Sequence, residues 1–156
     1  MQSDISYNYS LILGKAYRTL RVRAYETLEK YELIPTHWSL LGVVYGRQHG
    51  VTVSDMAVLL GVKLPLVTIM VDYLVEKKLI ERIANKADGR SKLLIPTKTG
   101  VKQVVLIEKD MSNNMASLLV GISQPQLQTF RTVLQSIIDN DSENNQLISG
   151  KKVAHD

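Results

Sequence analysis

The 156-residue chain carries 19 Lys and Arg against 15 Asp and Glu, a formal net charge of +4, with 45% hydrophobic and 22% charged residues. That composition suits a globular domain with a core of its own. No apolar run reaches the ~18 residues a membrane span needs, and Met1-Gln2-Ser3-Asp4 lacks the basic start and apolar stretch of a secretory signal, so a cytoplasmic protein without a membrane partner is expected. Cysteine is absent, which excludes disulfides, Cys-based zinc sites and thiol redox sensing.

Taken in chain order, Ile5, Tyr9, Ile12, Ala16, Leu20, Ala24 and Leu28 recur at about one helical turn and predict one long helix over 5–30. Pro35 is placed to open a second helix running through Trp38, Leu41 and Val44 to about Arg47. His49-Gly50 breaks it, and Val51-Thr52 suits a brief strand. Either Thr52 or Ser54 caps the next helix, with Thr52-x-x-Asp55 approximating a capping box.

From Val53 to Gly100 the pattern changes twice. Met56, Leu59 and Leu60 share one face of a short helix, Gly61 punctuates, and Val67, Met70, Val71 and Leu74 share one face of a second helix beginning near Lys63. Runs of branched apolar residues then follow, Leu79 to Ile83 and Leu93 to Ile95, with lengths that suit strands. Asn85-Lys86-Ala87-Asp88-Gly89-Arg90 between them supplies hairpin-turn residues.

Beyond the hairpin, Thr97 stands at a helix start, and Val101, Val104, Val105, Met111, Met115, Leu118 and Leu119 form a long stripe, interrupted at Gly121-Ile122. Ser123-Gln124-Pro125-Gln126 reads as a capping box before Leu127, Phe130, Leu134 and Ile137. Residues 140–156 are polar and nearly stripe-free, which predicts a disordered tail. Lys63 to Lys102 holds nine basic residues against four acidic ones, a local +5, leaving −1 for the remainder. Phosphate neutralisation requires such a concentration of charge, although a solvated face would show it too.

Several of these residues occur in an order that resembles the MarR family, the multiple-antibiotic-resistance type of bacterial transcription regulator. The resemblance rests on Val67-Thr68 with Val71-Asp72 and Leu74, on Lys77-Lys78-Leu79-Ile80-Glu81-Arg82, on Asp88-x-Arg90-Ser91-Lys92, on Thr97-x-x-Gly100, and upstream on Leu33, His37-Trp38 and Leu40-Leu41. It implies a mainly α (α+β) fold, a winged helix-turn-helix over 33–100 within a single domain spanning 1–139. Helices 5–30 and 101–139 would then build a homodimer on double-stranded DNA; a monomeric bundle is the alternative use of their apolar surface. Two-fold symmetry would demand a pseudo-palindromic site with half-sites roughly 34–36 Å apart or a multiple.

Within that resemblance the second helix of the motif reads the major groove. Lys63 would meet phosphate or guanine, Thr68 phosphate or a base, and Pro65 or Ile69 a thymine methyl; Leu66 and Ile69 as simple core residues is the competing reading. Arg90 occupies the wing position that enters the minor groove, with Asp88 accepting its hydrogen bonds, and Lys86, Ser91 and Lys92 would hold flanking phosphates. Tyr17, Arg21, Trp38 and Tyr45 are candidates to line a pocket for a small aromatic ligand, or else belong to the core. Three departures stand out: Ile34 where the family often has a capping threonine, Ile69 where many relatives are polar, and Lys78 where relatives typically have glycine.

Other functions fit less well. His37, His49 and His155 form no close-spaced ligand set with carboxylates. No nucleophile motif or phosphate-cradling glycine loop appears, Gly61 being isolated, which argues against an enzyme and against a cofactor. The stronger rival is a winged-helix protein-interaction module that docks through Leu64-Pro65-Leu66-Val67 without specific DNA readout. Such a module has no reason to keep nine basic residues and Asp88-x-Arg90.

Overall fold

The computed structural model describes the backbone of residues 3–152 and the side chains of residues 7–141. Helix α1 spans Ser3–Leu28, α2 Pro35–Gly46, α3 Val53–Leu60, α4 Leu64–Glu76, α5 Lys98–Ala116 and α6 Gln124–Lys152. Strands β1 (Val51–Thr52), β2 (Ile80–Ala84) and β3 (Lys92–Pro96) form one antiparallel sheet in the order β1-β3-β2. Register pairs Val51 with Leu94 on one side of β3, and Arg82 with Leu94 on the other. The chain falls into two compact units, one reaching to Ser117 and one beginning at Leu118. That division lies inside the span expected as one domain, just ahead of Gly121 with its φ of +79°.

In the first unit, Leu28, Leu33, Leu40, Leu41, Val44, Met56, Val67, Val71, Leu74, Ile80, Leu94 and Ile107 close a single core. The predicted stripe of α4 is buried as a set. On α3, Met56 is buried and Leu60 packs against the core, whereas Leu59 stays exposed; an eight-residue helix turns only one narrow face inward. Thr52, not Ser54, caps α3, accepting from the Asp55 N–H at 3.1 Å while its hydroxyl donates to the Asp55 carboxylate at 2.7 Å. Ile34 precedes α2 without a side-chain cap.

Two helical segments end on residues that favour other conformations. Glu32 and Lys78 adopt left-handed backbone, φ +57° and +58°. Each is held by the following residue: Leu33 N–H donates to Leu28 C=O at 3.2 Å, and Leu79 N–H to Leu74 C=O at 2.9 Å. This is the six-to-one closure of a helix end, with the apolar pair that accompanies it, Leu28 with Leu33 and Leu74 with Leu79, buried.

The second of these ends is locked to the start of α5. Thr97 donates its hydroxyl to the Lys78 carbonyl at 2.6 Å and its N–H to the Leu79 carbonyl at 3.0 Å, while its oxygen accepts from the Gly100 N–H at 2.9 Å. The approach leaves no room at Gly100, where a Cβ would sit 1.9 Å from the Leu79 carbonyl oxygen.

Helix α5 is also tied to α1. Asn114 donates to the Arg23 carbonyl at 3.0 Å and to the Thr27 hydroxyl at 2.8 Å, and Asp110 accepts from Lys30 at 2.6 Å and from the Tyr31 hydroxyl. Earlier in α1 the predicted stripe faces solvent: Tyr9, Ile12 and Leu20 are exposed. Ile5 lies outside the described side chains.

In the second unit, the Ser123 N–H and hydroxyl both reach Gln126 Oε1 at 2.8 Å, forming the expected capping box of α6. The helix continues through residues 140–152, where a disordered tail is predicted from polarity. Neither Gly nor Pro occurs between Pro125 and Gly150, so nothing in the backbone stops it. Residues 153–156 of the expected tail lie outside the described ones.

Gly100→Ala is expected to destabilise the protein by about 3 kcal/mol through this backbone clash. Lys78→Gly is expected to stabilise it by about 1 kcal/mol by relieving the left-handed strain. Urea unfolding at fixed protein concentration measures both.

Candidate nucleic-acid interface

Gly61, φ +63°, ends α3 with its own N–H on Val58 C=O at 3.1 Å and the Val62 N–H on Ala57 C=O at 3.1 Å. The chain then turns by 112° into α4, the geometry of a helix-turn-helix. With Val67, Met70, Val71 and Leu74 inward, the opposite face presents Lys63, Leu64, Pro65, Leu66, Thr68, Ile69 and Asp72, all exposed. Leu66 and Ile69 are therefore outer-face residues and not core. Thr68 donates its hydroxyl to the Leu64 carbonyl at 3.1 Å, which leaves it an acceptor without a free donor for phosphate.

Asp72 on α4 accepts from Arg82 on β2 at 2.5 Å, tying the outer helix to the wing across ten residues. The wing tip is built by short polar side chains. Asn85 accepts from the Ala87 N–H at 3.0 Å and donates to the Ser91 hydroxyl at 2.8 Å. Asp88 accepts from the Arg90 N–H at 3.0 Å, closing an Asx turn.

Two sequence expectations change here. Asp88 orients the backbone of Arg90, not its guanidinium. Ser91 is occupied within the tip, donating to the Asp88 carbonyl at 3.2 Å and accepting from Asn85, so it supports the loop and is not placed to hold phosphate. Lys63, Lys86, Arg90 and Lys92 are exposed, and among the described residues none of the four forms an ion pair.

Behind the outer face of α4, the His37 ring of α2 stacks on Tyr73 of α4, centroids 4.4 Å apart and 16° from parallel. His37 Nδ1 is buried without a hydrogen-bond partner, and burial pushes its pKa below the ordinary 6.5. The Tyr73 hydroxyl donates to the Glu32 carbonyl, and Lys77 donates to the Glu32 carboxylate, which is held below the usual carboxylate range by that bond. Sequence reading placed His37 by resemblance and missed the stack, because nothing local to either residue signals the other. His49 is exposed, and His155 lies outside the described residues.

Three of the four candidate pocket residues converge. Tyr17 and Arg21 of α1 and Trp38 of α2 line a cavity of about 630 Å³ with Tyr25, Met111 and Met115. Arg21 donates to the Tyr25 hydroxyl at 3.3 Å and lies 5.4 Å above that ring. Its guanidinium is held more basic than usual, first by that hydrogen bond and then by nearby tyrosines. Tyr45 does not join them; it lines a separate concavity of about 290 Å³ with Val104 and Glu108.

This is a winged helix-turn-helix: α3 and α4 joined by the Gly61 turn, followed by a hairpin wing on a three-stranded sheet. Residues 31–91, which carry α2, the helix-turn-helix and the first strand of the wing, match the MarR family. Solved structures share the fold. A transcriptional regulator of the MarR family from Rhodococcus sp. RHA1 superposes with a TM-score of 0.77 at 21% identity, over 85% of this chain and 94% of that one. MepR of S. aureus, solved as a DNA complex, gives 0.71 at 24% identity over 85% and 97%. CouR from Rhodococcus jostii RHA1, solved bound to p-coumaroyl-CoA, gives 0.77 at 22% identity over 85% and 92%. Among the described residues no single helix is long and apolar enough to cross a membrane.

Because the folded chain binds the His37 proton less firmly than the unfolded chain, the contribution of His37 is present above pH 6.5 and is lost as pH falls from there toward the lowered folded value. Glu32 and Asp110, both shifted down, act only at still lower pH. Stability should therefore decline between pH 7 and 5, and His37→Phe, which keeps a ring on Tyr73, should flatten that decline in urea titrations.

Proposed function

We propose that the chain is a dimeric, sequence-specific DNA-binding transcriptional regulator, acting as a repressor on a pseudo-palindromic operator and released by a small aromatic ligand. The observation that carries the reading is the pairing, in one unit, of an outward α4 face with an exposed, unpaired set of cations at Lys63, Lys86, Arg90 and Lys92. A helix of this shape fits the major groove, and an arginine on a preorganised hairpin suits the electronegative minor groove beside it. The DNA complex of MepR supports the same use of the fold.

Dimerisation is supported by apolar surface left outside the core on helices at both ends of the chain. Tyr7 is 73% exposed and Ile12 64%, and Phe130, Val133 and Ile137 are exposed on α6. A second copy covering these faces would set two reading heads on successive turns of one duplex face. The cavity beside Trp38 offers aromatic walls and one cation, which fits an aromatic carboxylate, and the p-coumaroyl-CoA complex of CouR supports a ligand of that character. Binding there would favour a dimer whose heads no longer match the half-site spacing.

Selection of bound duplexes from a random pool, followed by anisotropy titrations across a salt series, tests the reading. Arg90→Ala should weaken binding to all selected sites and lower the slope of log K against log salt by roughly one; an unchanged slope removes the wing from the interface. Trp38 is the sole tryptophan, so its emission should report aromatic carboxylate binding directly, with Arg21→Ala weakening that binding about tenfold.

A further inference from the structure

From Leu64 to Val71 the sequence is Leu-Pro-Leu-Val-Thr-Ile-Met-Val, without one Arg, Lys, Asn, Gln, Asp or Glu. Those are the side chains that recognise base edges by paired or charged hydrogen bonds. Thr68, the one polar residue in the run, has committed its proton to the Leu64 carbonyl, and Asp72 beyond it is engaged by Arg82. What remains for contact is apolar: Leu64 is 48% exposed, Leu66 46% and Ile69 66%.

An apolar ridge bordered by unpaired cations selects its partner. A second copy would bring like charges together at Lys63, Arg90 and Lys92, which costs energy. A polyanion whose groove floor carries apolar groups meets both demands, and the major groove offers one such group, the C5 methyl of thymine.

We infer that α4 reads its operator through thymine methyl groups, with Ile69 as the principal specificity-determining residue and Pro65 as its companion. The inference rests on the DNA-binding reading above and narrows it to a class of site. Pro65 and Ile69 stand one turn apart on the same face, roughly 6 Å along the axis, so the two contacts fall about two base-pair steps apart. Hydrogen-bond readout of G·C pairs is left to Lys63 alone at the start of the helix. Each half-site therefore carries thymines, on either strand, where α4 enters the groove.

The test uses the full chain and the duplexes it selects from a random pool. Deoxyuridine is placed at single thymine positions, removing one methyl and no hydrogen-bonding group. At positions under α4 each replacement should weaken binding about fourfold, and the loss should vanish in Ile69→Ala at the position Ile69 touches. Exposure of Ile69 makes that variant safe for folding. Equal affinity for thymine and uracil duplexes, or selected half-sites without thymine, would overturn the inference while leaving DNA recognition intact. Failure to bind any duplex at low salt would overturn the proposed function and this inference with it.

Discussion

The contact between Thr97 and the end of α4 decides how this molecule holds its two candidate DNA-facing parts together. Three hydrogen bonds converge there, on the Lys78 and Leu79 carbonyls and from the Gly100 N–H. One threonine thus caps α5, supports the left-handed turn that ends α4 and fixes the point where β2 departs. Since the wing begins at that turn, its placement relative to α4 is set by a few hydrogen-bonded atoms and not by the loop at its tip. The Asp72–Arg82 pair adds a second tie, but a solvated one, and such pairs are worth little in isolation.

On the proposed reading, affinity and selectivity would separate onto different residues. In the proposed complex the wing, with cations and turn chemistry but no apolar tip, would attract any duplex and lose strength with salt. Helix α4 carries only Lys63 and the paired Asp72 as charges on its outer face, so its contribution there would depend on shape and on contact with apolar groups and change little with ionic strength. Thr68 illustrates the division: a hydroxyl that would serve as a phosphate donor elsewhere is turned back onto the Leu64 carbonyl.

Much of this was legible in the sequence, and the reason differs by element. The buried stripe of α4, the caps at Thr52 and Thr97 and the Gly61 turn are local, each written within a few residues. Gly100 was legible as part of a motif but not as a necessity, because the Leu79 carbonyl that crowds it lies 21 positions away. Tyr45 was grouped with Trp38 as a candidate pocket residue, seven residues on along the same helix. Those seven residues also carry it about 10 Å along the axis, far enough to reach a different concavity. The stack of His37 on Tyr73 and the bond from Asn114 to Arg23 join residues distant in sequence, and no periodicity announces them.

The cavity and α4 share a wall in α2. Trp38 lines the cavity from one side of α2, and His37, its neighbour, packs on Tyr73 from the other. Tyr73 in turn bonds the Glu32 carbonyl, at the left-handed turn that joins α1 to α2. A ligand that displaced Trp38 would therefore press on a helix that meets α4 at the His37–Tyr73 stack, beside an unsatisfied imidazole nitrogen, as well as through its buried Leu40, Leu41 and Val44. Tyr73 lies in the last turn of α4, about one turn ahead of the Lys78 and Leu79 carbonyls that Thr97 holds, so a shift at the stack would act on the end of the helix that Thr97 anchors. Coupling by this route needs no long chain of contacts, since the cavity wall and the support of α4 are the same two turns of α2.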